Sequence, residues 1–136
     1  YEVLKEFQKR GIPTVVWLCP ILPYINDTVE NLNGILDYFF DAGVKGIIDF
    51  GFGVTLRAGN REYFYRKLDA HFPGMKERYI RRFGDSYECA SENSAALWKV
   101  FADRCRKAGV MISPDEIFAY LREYPVKNEQ LSLFDS

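Results

Sequence analysis

"VVWLCPILPYINDTVENL", residues 15–32, decides how this chain folds. From Thr14 to Ile21 nearly every position is apolar, rather than every second one. That pattern belongs to a strand covered on both faces and points to a parallel sheet. Pro20 and Pro23 stop the strand, since proline cannot donate to a ladder. Asp27-Thr28-Val29-Glu30 then reads as a capping-box-like helix start. Leu32, Ile35, Leu36, Phe39 and Phe40 follow at helical spacing until Gly43 closes the helix.

Working outward, Lys45 to Gly51 begins again as a short buried strand, so residues 14–50 form one βαβ crossover, expected to be right-handed. Upstream, Tyr1 to Arg10 carries Val3, Leu4 and Phe7 on one helical stripe, with no capping residue before it. This predicts a helix that starts further upstream, in a longer protein whose N-terminal half is missing here. Downstream of Gly53 no further strand is expected. Residues 61–83 read as helix interrupted at Pro73-Gly74, and Ser91 or Asn93 is placed to cap the next helix, which runs to Gly109. Ser113-Pro114-Asp115-Glu116 is the clearest start signal in the chain, with a cap and a proline at the first helical position. The expected fold class is therefore α/β, two parallel strands with a mostly helical C-terminal region over 1–125, followed by a polar tail over 126–136. Two strands cannot make a sheet buried on both faces. Either further strands come from outside the chain or copies of it pair as a homo-oligomer.

The 136 residues amount to one domain. A formal net charge of −1 gives no global field that would draw nucleic acid or an anionic membrane, so any such binding is local. Lys76, Arg78, Arg81 and Arg82 form a local basic cluster, but Glu77 and Asp85 sit beside it, as on a solvated helix face. No apolar run approaches the ~18–20 residues of a membrane span, and no charged-then-apolar leader opens the chain. Cys19, Cys89 and Cys105 are odd in number and widely spaced, which fits neither a disulfide framework nor a paired zinc motif. They read as reduced thiols of a cytoplasmic protein.

Parallel α/β folds bind ligands at the carboxyl ends of their strands. Here those ends are Cys19 to Asp27 and Asp49 to Arg57. Asn26-Asp27 reads as a turn and helix cap as well as a source of polar groups. Gly51-Phe52-Gly53 lacks a third glycine at dinucleotide-fingerprint spacing and reads as a turn. Asp49 is the odd residue, because a carboxylate inside an apolar strand must be paired, solvated at a site, or protonated. Arg57 and Arg61 are its candidate partners, and the three together are a candidate substrate or charge site. His71, the single histidine, lies at a helix end, which leaves no Cys-His or Ser-His constellation.

The run "GIPTVVWLCPILPYINDTVENLNGILDYFFDAGVKGIIDFGFGVTLRAGNREYFYRKLDAHFPGMKERY", residues 11–79, resembles the C-terminal half of radical S-adenosylmethionine proteins related to spore photoproduct lyase, the group often labelled DNA repair photolyases. The most specific pieces are Pro20-Ile21-Leu22-Pro23 followed by Asn26-Asp27, and Gly51 to Arg61. The resemblance implies the C-terminal part of a partial (β/α) TIM-like barrel. It also implies a 4Fe-4S cluster that binds S-adenosylmethionine and cleaves it reductively to a 5′-deoxyadenosyl radical, in an enzyme of lyase or repair type acting on nucleic acid. Cys19, Pro20, Ile21, Leu22, Pro23 and Asn26 would line the cofactor site. The CxxxCxxC cluster motif of that group is absent, so the cluster and the catalysis would belong to the full-length parent and not to this chain alone.

The tail "QLSLF", with Gln130, Leu131, Leu133 and Phe134, is similar to the short peptide by which bacterial proteins dock onto the DNA polymerase sliding clamp. It supplies the alternative expectation, a non-catalytic interaction module that works through its tail.

Overall fold

The computed structural model describes residues 1–123, in which six helices and two small sheets make an α/β fold with no closed barrel. The apolar run of residues 15–18 becomes β1 (Val15–Leu18), and the second run becomes β2 (Gly46–Asp49). They pair in parallel, Val16 opposite Ile47 and Leu18 opposite Asp49. The crossover between them is α2 (Val29–Asp41), whose cap is Thr28, one residue later than the Asp27–Glu30 spacing predicts. The Thr28 Oγ1 accepts from the Asn31 amide at 3.1 Å, while the Asp27 carboxylate is taken by Ser91 and the Tyr24 amide. On the far side of β2 the chain at Met111 adds a parallel bridge. Ile47 donates to the Met111 carbonyl at 2.9 Å, and Met111 donates to that of Lys45 at 3.0 Å. So β2 is central and β1 lies at an edge.

One face of this sheet carries the main core. Leu18 and Ile47 pack with Leu32 and Leu36 of α2 and with Leu97, Phe101 and Cys105 of α5 (Ser94–Ala108). At roughly 1.5–3 kcal/mol per large apolar side chain, this burial is the chief stabiliser of the unit. The opposite face is covered only in part. Ile117 of α6 (Pro114–Arg122), capped by Ser113 as expected, lies over Gly46, where a Cβ would stand 3.0 Å from it. Trp17 points to that face and stays 58% exposed, its ring 4.8 Å from that of Phe50, itself 65% exposed. Cover on both faces therefore holds for β2 and fails for β1, because α6 packs chiefly on β2 and leaves Trp17 exposed.

A second correction lies downstream of Gly53. Two strands absent from the sequence reading, β3 (Gly53–Thr55) and β4 (Glu88–Ala90), pair antiparallel with Val54 opposite Cys89. Each has three residues, too few for a period-2 pattern to show. They roof a second core of Leu56, Leu68, Tyr79 and Cys89, filled from α3 (Asn60–His71) and α4 (Met75–Phe83). The break at Pro73-Gly74 falls between those helices as expected. The buried Tyr79 hydroxyl donates to the Pro23 carbonyl at 2.8 Å, tying this core to the loop after β1.

α1 (Glu2–Lys9) lies across the end of α2, where Asp41 accepts from the Tyr1 hydroxyl and pairs with Lys5 at 3.2 Å. Among the described residues no helix is long and apolar enough to cross a membrane.

Candidate functional site

The carboxyl ends of β1 and β2 open into a cleft of about 700 Å³. Cys19-Pro20 and Asp49 to Gly53 form one side, and β3, β4 and the first turns of α3 and α5 close the other. The walls are mainly aromatic and apolar, with Phe50, Phe52, Val54 and Trp98, and the polar groups are Asp49, Thr55, Asn60, Glu88 and Ser94. Phe52 and Trp98 are braced from behind by Phe101, whose ring centroid lies 6.2 and 5.4 Å from theirs. Ser94 holds the turn before α5 by donating to the Ser91 carbonyl at 2.6 Å.

Of the residues singled out from sequence, Cys19, Pro20 and Asp49 meet at this cleft. Ile21 and Pro23 are buried in the core behind it. The Asn26 side chain closes a turn by accepting from the Leu22 amide at 2.5 Å, so Leu22 and Asn26 shape the loop without lining the cleft. Asp49 does not pair with Arg57 or Arg61. The Arg57 guanidinium donates to the Tyr87 hydroxyl at 3.2 Å and lies over that ring. Arg61 donates to the carbonyls of Leu56, Gly84, Asp85 and Ser86 at 2.7–3.0 Å, and so pins the start of α3 to the turn before β4. Both arginines are thus engaged by the segment 84–87 that leads into β4, and Arg61 also by the Leu56 carbonyl.

Among the described residues Asp49 keeps one hydrogen bond, its Oδ1 accepting from the Gly51 amide at 2.9 Å. Half-buried in the cleft wall, it has its carboxyl pushed above the usual range by desolvation, which that hydrogen bond only partly opposes. Burial likewise raises the Cys89 thiol, and it pushes Cys105 up to about 11, so neither is a thiolate at neutral pH. Cys19 is exposed at the cleft rim.

Sequence reasoning missed Asn60, Glu88 and Trp98 as lining residues. The signal was the pair of glycines at 51 and 53: Gly53 has no room for a Cβ, which would stand 2.6 Å from the Cys89 carbonyl oxygen. That close approach brings β4 and Trp98 to the strand ends. The basic cluster on α4 is taken up locally, with Lys76 on Asp69 at 2.8 Å, Arg82 on Glu92 at 2.9 Å, and the Arg78 guanidinium 3.6 Å over the Tyr24 ring.

Among the described residues no group of three or more His, Cys, Asp or Glu side chains is placed to hold a metal ion. The three thiols stand apart, at the cleft rim, under β3 and β4, and inside the α2–α5 core, and they do not fit an iron–sulfur cluster. Gln130, Leu131, Leu133 and Phe134 lie outside the described residues. Comparison of the chain with protein-family models, with curated proteins and with solved structures finds no match.

Proposed function

We propose that this chain is the C-terminal portion of a radical S-adenosylmethionine enzyme, with a nucleic acid or its components as the substrate class, and that the cleft at the ends of β1 and β2 is its share of the cofactor and substrate site. The observation that carries the reading is the cleft itself. It lies at the carboxyl ends of two parallel strands, where such folds bind ligands, and its rim includes the Cys19-Pro20 stretch of the resembling motif. The order β1, β2, Met111, all parallel and successive along the chain, supports the finer reading of a partial (β/α) barrel. The open edge and the uncovered Trp17 of β1 are where preceding barrel strands would pack.

In such an enzyme an iron–sulfur cluster would supply the electron for reductive cleavage of S-adenosylmethionine, and its ligands would come from outside this chain. What these residues contribute is binding: aromatic walls for an adenine or nucleobase ring, and Asp49, Asn60 and Ser94 as hydrogen-bonding groups.

The test is to express the complete reading frame that contains this chain and reconstitute it anaerobically with iron and sulfide. Under dithionite and S-adenosylmethionine the product should release 5′-deoxyadenosine. Lack of both cluster absorbance and 5′-deoxyadenosine refutes the assignment.

A further inference from the structure

The cleft has a charge character that the proposed function does not require. Two carboxylates, Asp49 and Glu88, line it, and among the described residues no lysine, arginine or histidine does. The nearby guanidinium groups are committed elsewhere, Arg57 to Tyr87 and Arg61 to four carbonyls. Asp49 has no ion-pair partner among the described residues, although it is half-buried in an aromatic wall. A cation entering such a site gains from the carboxylates and from the faces of Phe50 and Trp98, whose rings attract positive charge. A phosphate entering it meets two negative charges with no compensating cation.

We propose that this cleft selects an organic ammonium compound with a flat apolar body and rejects phosphorylated ligands. Asp49 faces the ammonium group from the β2 side and Glu88 from the β4 side, while the ring rests between Phe50 and Trp98. The inference rests on reading the cleft as the ligand site and is independent of whether the parent performs radical chemistry. If nucleic acid is the substrate of that chemistry, its phosphates stay outside the cleft and only a base, or an amine-bearing part of it, enters.

Three small probes of similar ring size separate the possibilities: phenethylamine, 2-phenylethanol and phenyl phosphate, each titrated into the ¹⁵N-labelled chain and followed by amide shifts. Phenethylamine should bind at least tenfold more tightly than the alcohol, shift the Gly51 and Gly53 amides, and leave phenyl phosphate without measurable binding. Asp49→Asn and, independently, Glu88→Gln should each reduce the preference for amine over alcohol several-fold while the rest of the spectrum stays native. Equal binding of amine and alcohol, tighter binding of phenyl phosphate, or a preference unchanged in both variants overturns the proposal. S-adenosylmethionine is titrated separately, and its failure to bind counts only against the proposed cofactor role.

Discussion

The Ser91 hydroxyl donates to Asp27 Oδ2 at 2.5 Å, joining the turn before α5 to the loop before α2 across 64 residues of chain. Both residues are nearly sealed from water, Asp27 at 4% and Ser91 at 5% exposure. The same aspartate accepts from the Tyr24 amide at 2.8 Å through Oδ1, and its carbonyl accepts from Asn93 Nδ2 at 3.1 Å. Asp27 thus ties the loop after β1 to the turn that precedes α5. Ser91→Ala leaves one buried carboxylate oxygen without its partner and should lower unfolding free energy by about 1–3 kcal/mol in urea titrations. A loss no larger than that of a surface Ser→Ala control would show that the bond contributes nothing.

Asp49 has the opposite sign. Burial raises its carboxyl pKa in the folded state, so between the ordinary aspartate range and that raised value the folded chain binds more proton than the unfolded one. Stability from this group is present in acid and is lost as pH rises through the raised pKa. Asp49→Asn should therefore raise the melting temperature at pH 7, and the gain should vanish below about pH 3.5, where aspartate is protonated in both states. A gain that persists unchanged in acid would trace to something other than this titration.

Gly53 and Gly34 make a matched contrast. A Cβ at Gly53 would stand 2.6 Å from the Cys89 carbonyl oxygen and 3.0 Å from the Ala90 Cα, both backbone atoms that cannot swing aside. Gly53→Ala should cost about 1–3 kcal/mol and separate β3 from β4. At Gly34, inside α2 and exposed, nothing lies within 4 Å, and Gly34→Ala should stabilise by up to about 1 kcal/mol. Differential scanning calorimetry of the two variants reads both signs.

Arg61 satisfies four carbonyl oxygens with one planar fork. Lysine keeps the charge but not the geometry. Arg61→Lys should destabilise the second core by about 2 kcal/mol. Amide exchange should quicken at Tyr87 and Cys89 but not at Ile47. Uniform quickening across both cores would refute this local role.

The parallel pair, its crossover helix and the cap at Ser113 were legible because each rests on a pattern several residues long. Apolar continuity marked the strands, periodicity marked the helix, and a hydroxyl followed by proline and two acidic residues marked the start of α6. The start of α2 instead reads one residue early, at Asp27, whose carboxylate is taken by Ser91 and the Tyr24 amide and leaves Thr28 to cap the helix. β3 and β4 were not, since three residues carry no period and their pairing depends on the missing side chain at Gly53. Half of the site was readable on one rule alone, that ligands meet parallel strands at their carboxyl ends, which brought out Cys19, Pro20 and Asp49. The other half arrives from residues 40–50 positions later, Glu88 and Trp98, and a single sequence shows no such tertiary proximity. The pairing of Asp49 with Arg57 or Arg61 does not form, because residues 84–87, which no local pattern brings near, take up both guanidinium groups.

The chain has two tryptophans, and neither is in a core: Trp98 borders the cleft and Trp17 packs at a tilt against Phe50 beside it. Its intrinsic fluorescence is accordingly a reporter of cleft occupancy and a poor reporter of folding. Emission from the native chain already comes from partly hydrated indoles, so denaturation shifts it little, whereas an occupant wedged against Trp98 changes it directly.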